Sequence, residues 1–521
     1  MASFYVQNFG CRATQADGAA IERQFEERGL DRASELQEAE IVVLNTCTVT
    51  SSADQDARAA IRRVHRENPQ ARIVVTGCYA QRSPEELAAL PGVSQVIGNS
   101  HKHQLAAIAI DEGVYAGVAD PLRSFVPLRT LTAAWDSSQR PTTNDRRLVF
   151  VSDIFAHTEL LAAPVFDAAN ERTRPNLKVQ DGCDNRCSFC VIPYVRGQSR
   201  SLKLDQILQE VNALVAAGYR ELVISGINLG RWGRDLEAAV GSQVSGVGRQ
   251  VSGVRSQVSA ANRDEHGLSN LGFSQRPTSN VQRLVHLIRA VLDHTSLEKL
   301  RISSVEPMDW SDELIALVAG SPRIAKHAHV PMQSGSDAVL RRMHRKYRPW
   351  HYQERIEKIR AAMPTAAIGA DVMVGFPGET ELEFAETRRM IEDLPFTYLH
   401  VFTYSARPGT PAAEMTNQVA VRVARERNRI LRELSETKKL SFMRSFVGET
   451  VEAITLSGGA DASVGRTSPV FTEALTDNYL KLRLNGQHEP NRWVQAQVER
   501  CEDGALVASP REPACSMQKR A

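Results

Sequence analysis

The chain has 521 residues, 42% hydrophobic and 24% charged, with a formal net charge of +2, which is too long for one ordinary domain at roughly 150 residues per domain and excludes neither sign of partner. No apolar run is long enough to span a bilayer. The N-terminus Met-Ala-Ser-Phe-Tyr-Val lacks a basic region followed by an apolar stretch, so no signal peptide is expected and a cytoplasmic location is.

The first 110 residues alternate short apolar runs with helical periodicity. Strands are expected at Ser3–Gln7, Ile41–Leu44 and Arg72–Thr76, and helices at Asp17–Arg28, Ala53–Arg66 and Glu85–Leu90. Alternation of this kind predicts βαβ units around a parallel sheet. Cys11, Cys47 and Cys78 each follow a strand by a few residues. Open α/β sheets bind ligands at the carboxyl ends of their strands, so these three cysteines are expected on one sheet edge. An isolated cysteine is usually a small buried hydrophobe. Three at one topological position point instead to a metal site. Eight cysteines in a chain of this length do not form a disulfide scaffold either.

Residues 111–173 read as a connecting region. A second α/β block, 174–440, has six strand candidates: Leu177–Gln180, Glu221–Ser225, Lys299–Ser303, His327–Pro331, Ile368–Val374 and Tyr398–Thr403. Amphipathic helices such as Leu204–Ala217, Val281–Leu292 and Glu381–Leu394 separate them. Six β/α units predict an incomplete barrel with its chemistry on the loops after the strands. Residues 237–280 interrupt the pattern with an imperfect Ser/Gly/Gln/Val repeat that has little to bury, and are expected to be a disordered insertion. The stretch Val421–Arg444 carries eight Lys/Arg, either a solvated helix face or a phosphate-contacting surface. Residues 446–510 turn β-like, with strands expected at Thr450–Leu456, Val470–Leu475, Tyr479–Leu484, Val494–Val498 and Ala505–Ala508, a small barrel. Residues 511–521 read as a tail, and Cys501 and Cys515 as ordinary thiols.

Cys183, Cys187 and Cys190 form a C-x3-C-x2-C triplet directly after the first barrel strand. A structural zinc site closes its shell with four protein ligands. A cubane held by three cysteines leaves one iron open. The triplet is that of the radical S-adenosylmethionine (SAM) enzymes, and the chain resembles that superfamily here. Its neighbours sharpen the resemblance: Phe-Gly-Cys11, Asn45-Thr-Cys-Thr-Val-Thr50, Thr76-Gly-Cys78, Gln180-Asp-Gly-Cys183, Arg301-Ile-Ser-Ser-Val-Glu-Pro307, His329-Val-Pro-Met-Gln-Ser-Gly-Ser336, Asp371-Val-Met-Val-Gly-Phe-Pro-Gly378 and Thr403-Tyr-Ser-Ala-Arg-Pro-Gly-Thr410 in order. Together they resemble the methylthiotransferase family, with an N-terminal three-cysteine domain, a radical SAM barrel and a C-terminal RNA-binding barrel of the TRAM type. The words around Cys47 and Cys183 are most similar to the branch acting on N6-threonylcarbamoyladenosine in tRNA. Alternatives are the isopentenyladenosine branch and the ribosomal-protein aspartate branch. A non-catalytic RNA-binding protein with structural zinc is the reading from a different class.

That resemblance implies two [4Fe-4S] clusters and SAM. Cys183, Cys187 and Cys190 would hold the SAM-binding cluster, and Cys11, Cys47 and Cys78 an auxiliary one that carries the sulfur to be methylated and inserted. The hydrogen on carbon 2 of an adenine is too strongly bound and too weakly acidic for a His or Glu base, so a cofactor must supply a radical. The resemblance further implies a tRNA substrate, a reductant such as flavodoxin or ferredoxin, and a sulfur donor. Thr14 stands where the family usually has Asn. SAM contacts are sought after the barrel strands: Gly226 and Asn228, Ser304 and Glu306, Gln333 and Ser334, and Gly375. The Gly375 turn is equally a tight turn, and Glu306 before Pro307 equally a helix cap. His327 and His329 alternate on a strand and are expected to pack or hydrogen-bond. Tyr479, Lys481 and Arg483 on one strand are candidates for RNA contact.

Overall fold

A computed structural model describes residues 2–110, 148–157, 160, 174–236, 283–457 and 471–511. The insertion expected at 237–280, the tail beyond 511 and most of the connecting region lie outside them.

The N-terminal unit is a parallel sheet of β1 (Ser3–Asn8), β2 (Asp31–Arg32), β3 (Ile41–Thr46), β4 (Arg72–Gly77), β5 (Val93–Gly98) and β6 (Leu148–Phe150), in the order β2-β1-β3-β4-β5-β6. β3 is buried along its whole length, as expected of a central strand covered by helices on both faces. β6 comes from the region expected to be a connector and pairs in parallel with β5, Gln95 opposite Leu148, so this sheet extends past residue 110. The first helix starts at Arg12, five residues before the position its apolar periodicity predicts. Cys11 is its extended N-cap, and Gly18 with its polar neighbours hides the helical period from a sequence reading.

The central unit contains β7 (Asn176–Asp181), β8 (Arg200–Ser201), β9 (Glu221–Gly226), β10 (Lys299–Ile302), β11 (His327–His329), β12 (Ala367–Val374) and β13 (Tyr398–Thr403). One sheet runs β10-β9-β7-β8 and another β11-β12-β13. Single bridges from Leu300 to Ile324 and from Ser304 to His329 join them. Apart from the short antiparallel edge β8, the strands are parallel and follow chain order, which gives the six-stranded open barrel expected. Its apolar filling includes the fully buried Trp232 and Trp310.

The C-terminal unit is a closed barrel, β14 (Thr450–Thr455), β15 (Phe471–Thr476), β16 (Lys481–Asn485), β18 (Ala505–Pro510) and β17 (Trp493–Glu502) in that order. Helix Val421–Arg444 leads into it from the central barrel. Of its basic residues, Arg427 is buried, paired with Glu379 at 2.8 Å, and Arg429 is tied to Glu426 and Glu433 on the surface. The helix is therefore partly a packing element. No helix among the described residues is long and apolar enough to cross a membrane.

Polar contacts lock the units together. Asp17 of the first helix meets Lys102 (2.9 Å), Arg196 (2.9 Å) and Lys178, while Asp181 meets Lys178 (2.9 Å) and Arg196 (3.0 Å). All five side chains are buried. Arg407 of the central unit reaches Asp54 and Thr48 of the N-terminal sheet. Arg301 donates to the carbonyls of Asp477 (3.0 Å) and Thr476 (3.4 Å), and Asn478 to that of Thr365 (2.9 Å), which pins the C-terminal barrel to the central one.

Candidate active site

The six cysteines sit where the strand-end rule puts them. Cys11 caps the helix after β1, Cys47 follows β3, and Cys78 begins the helix after β4. Gly10 has φ +103°, and a Cβ there would lie 2.9 Å from the Cys47 Sγ, so only glycine brings the Cys11 loop this close to Cys47. Cys47 and Cys78 are buried and Cys11 is exposed. Cys183, Cys187 and Cys190 follow β7. Just beyond them, Val191 and Val195 pack against Cys78.

Cys11 and the Cys183–Cys190 triplet line one chamber of about 570 Å³ at the carboxyl ends of the barrel strands. Of the residues expected to meet SAM, Gly226, Asn228, Ser304, Glu306 and Gln333 line it too. Two do not. Ser334 is buried, 3.0 Å from the Thr387 hydroxyl. Gly375 is a structural turn: its N–H donates to Glu379 at 2.6 Å, its φ is +75°, and a Cβ would lie 2.5 Å from the Ala424 Cβ. Gly375→Ala is expected to lower stability by about 1–3 kcal/mol through overpacking and backbone strain. A thermal-unfolding midpoint within error of the parent would refute that role.

Burial pushes the Cys47 thiol up to about 12, with Cys78 and Cys11 adding to the rise. Burial likewise pushes Cys190 up to about 12, and Cys183 also rises. These thiols are poor nucleophiles alone, and a bound metal cation is what would hold them as thiolates. Among the described residues, no three His, Cys, Asp or Glu side chains converge as ligands of a single ion. The sulfurs do have donors aimed at them. The Asn185 N–H (3.4 Å) and Asn228 Nδ2 (3.6 Å) donate to Cys183, Arg345 NH1 to Cys187 (3.2 Å), and Asn99 Nδ2 to Cys78 (3.6 Å). Hydrogen bonds to ligating sulfur are how a protein tunes an iron–sulfur cluster, so the donor set fits that group. Thr14 puts its hydroxyl 3.6 Å from the Cys11 Sγ, so the position usually held by Asn keeps a polar contact. The buried Ser225 Oγ and Asn228 Oδ1 have no protein partner, which fits a polar ligand in the chamber.

The far wall was not legible from sequence. His327, His329, Asp371, Tyr398 and His400 line it, joined by Arg12 from the first helix of the N-terminal unit and Tyr479 from the C-terminal barrel. His327 Nε2 is 2.7 Å from the Tyr398 hydroxyl and its ring lies 5.0 Å from that of Tyr479. Both histidines pack against aromatic rings, as expected, but only the His327 ring hydrogen-bonds, the buried His329 Nε2 having no hydrogen-bond partner among the described residues, and both lie on the chamber wall. Burial, then Arg301, hold His327 well below the usual histidine range, so it is neutral. Tyr479 is not on a strand with Lys481 and Arg483: it occupies a turn at φ +70°, held by the Arg301 guanidinium 5.1 Å from its ring. Lys481 and Arg483 stay on β16 and line a neighbouring groove that shares Tyr479. Arg483 pairs there with Asp503 at 3.4 Å. Arg345, which also grips Glu306, was missed because no motif surrounds it.

Residues 3–98 match the profile described as Uncharacterized protein family UPF0004, and residues 177–235 and 258–391 that of the Radical SAM superfamily. The Threonylcarbamoyladenosine tRNA methylthiotransferase MtaB of Bacillus subtilis (strain 168) is 33% identical, over 94% of this chain and 92% of its own. The protein of the same name from Aquifex aeolicus (strain VF5) is 31% identical, over 94% and 99%. The tRNA-2-methylthio-N(6)-dimethylallyladenosine synthase of Thermobifida fusca (strain YX) is 30% identical, over 95% and 83%.

Proposed function

Because the chain belongs to the radical SAM methylthiotransferase family, we propose that it inserts a methylthio group at carbon 2 of N6-threonylcarbamoyladenosine in tRNA. The observation that carries this reading is the shared chamber: Cys11 of one cysteine set faces the same space as Cys183, Cys187 and Cys190 of the other. An enzyme that must both break a carbon–hydrogen bond and install sulfur on that carbon needs both groups at one substrate atom.

The family's cofactors, SAM and two [4Fe-4S] clusters, supply the one-electron chemistry that breaks an unactivated carbon–hydrogen bond and the sulfur that replaces the hydrogen. Cys183, Cys187 and Cys190 would hold one cluster, and Cys11, Cys47 and Cys78 the other. Asn185, Asn228, Arg345 and Asn99 orient the thiolates by donating to sulfur. Gly226, Asn228, Ser304, Glu306 and Gln333, with Ser225, form the polar floor against which SAM would lie. Tyr398, neutral His327 and Tyr479 form an aromatic wall, suited to stacking a splayed base and keeping water off it. Lys481 and Arg483 on the adjoining groove would meet RNA phosphates. A flavodoxin- or ferredoxin-type reductant and a sulfur donor complete the partners, in the cytoplasm where tRNA is modified.

The substrate named for the Bacillus and Aquifex relatives favours threonylcarbamoyladenosine, and the Thermobifida relative supports dimethylallyladenosine as the second reading. Mass spectrometry of tRNA nucleosides from a strain lacking the chain separates them. The expected result is loss of 2-methylthio-N6-threonylcarbamoyladenosine with accumulation of its unthiolated precursor. Its persistence overturns the reading, and loss of the dimethylallyl product instead installs the second.

A further inference from the structure

Arg12 is the residue after Cys11, the first of the helix it opens, and it projects into the chamber. One NH2 donates to the Tyr479 hydroxyl at 2.9 Å. Among the described residues its guanidinium has no carboxylate partner, unlike the other cations nearby. Arg301 is buried on Glu221 at 2.6 Å, Arg174 shares that carboxylate at 3.9 Å, and Arg345 holds Glu306. Two histidines of the wall are not cationic substitutes, because burial lowers both His327 and His400, and His329 already faces the Asp371 carboxylate at 3.4 Å. Among the described residues the wall therefore presents one positive charge without a carboxylate, on an exposed side chain, beside an aromatic surface fit to hold a base.

Tyr479 makes that charge directional. Its ring is fixed between Arg301 and His327, and its strained turn is held by the carbonyl contacts of Arg301. The hydroxyl takes up one of the five guanidinium donors and leaves the rest of the planar fork free, the geometry that meets a carboxylate with two parallel hydrogen bonds. The two N6 substituents named for the relatives differ in this respect. A threonylcarbamoyl group carries a free carboxylate, whereas a dimethylallyl group is pure hydrocarbon. We propose that Arg12, oriented by Tyr479, is the specificity-determining residue that binds the carboxylate of the N6 substituent. The inference rests on the substrate reading above and deepens it.

The test is binding by the anaerobically purified full chain, at one fixed salt concentration because RNA affinity is salt-dependent. The probes are fluorescent anticodon stem-loops carrying N6-threonylcarbamoyladenosine, its methyl ester, or unmodified adenosine. The parent protein should bind the acid about tenfold or more tighter than the ester, the size of a charge-assisted hydrogen bond. Arg12→Gln should bring that ratio near one with the ester affinity within about twofold of the parent, and Arg12→Lys should restore part of it. An unchanged thermal midpoint shows that the variants are folded. If Arg12→Gln discriminates acid from ester as the parent does, or the parent does not discriminate them at all, the Arg12 assignment falls and the substrate reading stands. If the parent binds the threonylcarbamoyl RNA no tighter than the unmodified one, the substrate reading falls and takes the inference with it.

Discussion

Asp17→Ala is expected to cost about 3–5 kcal/mol of folding stability, the loss typical of breaking a buried charge network on one side. Asp17 is 1% exposed and answers Lys102, Lys178 and Arg196. Its removal leaves buried Lys178 and Arg196 sharing Asp181 alone, and buried Lys102 with only the Asn45 amide oxygen at 3.3 Å. Asp17 and Lys102 come from helical segments of the N-terminal unit and the other three from the central unit, so the cost falls on the docking of the two units as well as on each. Burial alone would raise the Asp17 carboxyl, but Arg196, Lys102 and Lys178 together hold it well below its ordinary 3.8. Asp181 is lowered in the same direction, with burial again opposed by Arg196 and Lys178. A carboxylate depressed in the folded state stabilises fully above its unfolded value and loses that stabilisation as the pH falls through the folded one. The parent's thermal midpoint should therefore drop steeply below about pH 4, and Asp17→Asn, already weakened at neutral pH, should drop less. Equal slopes for the two proteins, or a neutral-pH midpoint for Asp17→Ala near that of the parent, would remove the network from the stability argument.

The largest expected effect on activity comes from the cysteines. Anaerobically prepared protein should carry about eight iron and eight sulfide per chain, two all-cysteine cubes. The variant with Cys11→Ala, Cys47→Ala and Cys78→Ala should retain about four of each, and so should the variant with Cys183→Ala, Cys187→Ala and Cys190→Ala, because each set holds its own cluster. Methylthiolated nucleoside should fall to background with both. Zinc in place of iron and sulfide, or an iron content untouched by either triple substitution, would sink the two-site assignment.

Much of the fold was legible because the central strands are short apolar runs of β-branched residues set between amphipathic helices. Tyr398–Thr403 was bounded to the residue, and the other five barrel strands to within two. What was missed had a local cause. β6 is a three-residue strand that means nothing without β5 beside it. The strand expected from Tyr479 starts at Lys481, because a left-handed residue ends the turn before it. The placement of the cysteines was legible because the C-x3-C-x2-C spacing survives in a sequence and because Cys11, Cys47 and Cys78 each follow a recognisable strand. The chamber wall was not. Arg12, His327, Tyr398 and Tyr479 come from four separate elements of three units, and no spacing ties them together. Ser334 and Gly375 failed as ligand candidates for the complementary reason: a strand end supplies both site residues and the turns that support them, and the letters are the same.

The contacts that pin the C-terminal barrel have a geometric consequence. With Arg301 on the carbonyls of Thr476 and Asp477, and Asn478 on that of Thr365, this barrel cannot swing on the helix that precedes it. An RNA held along Lys481 and Arg483, as proposed above, would then be presented to the chamber at a set offset, with Tyr479 marking the zero of the scale. On that reading the molecule would work as a ruler: which nucleotide of a loop comes within reach would be fixed by a length in the protein, before any base is read.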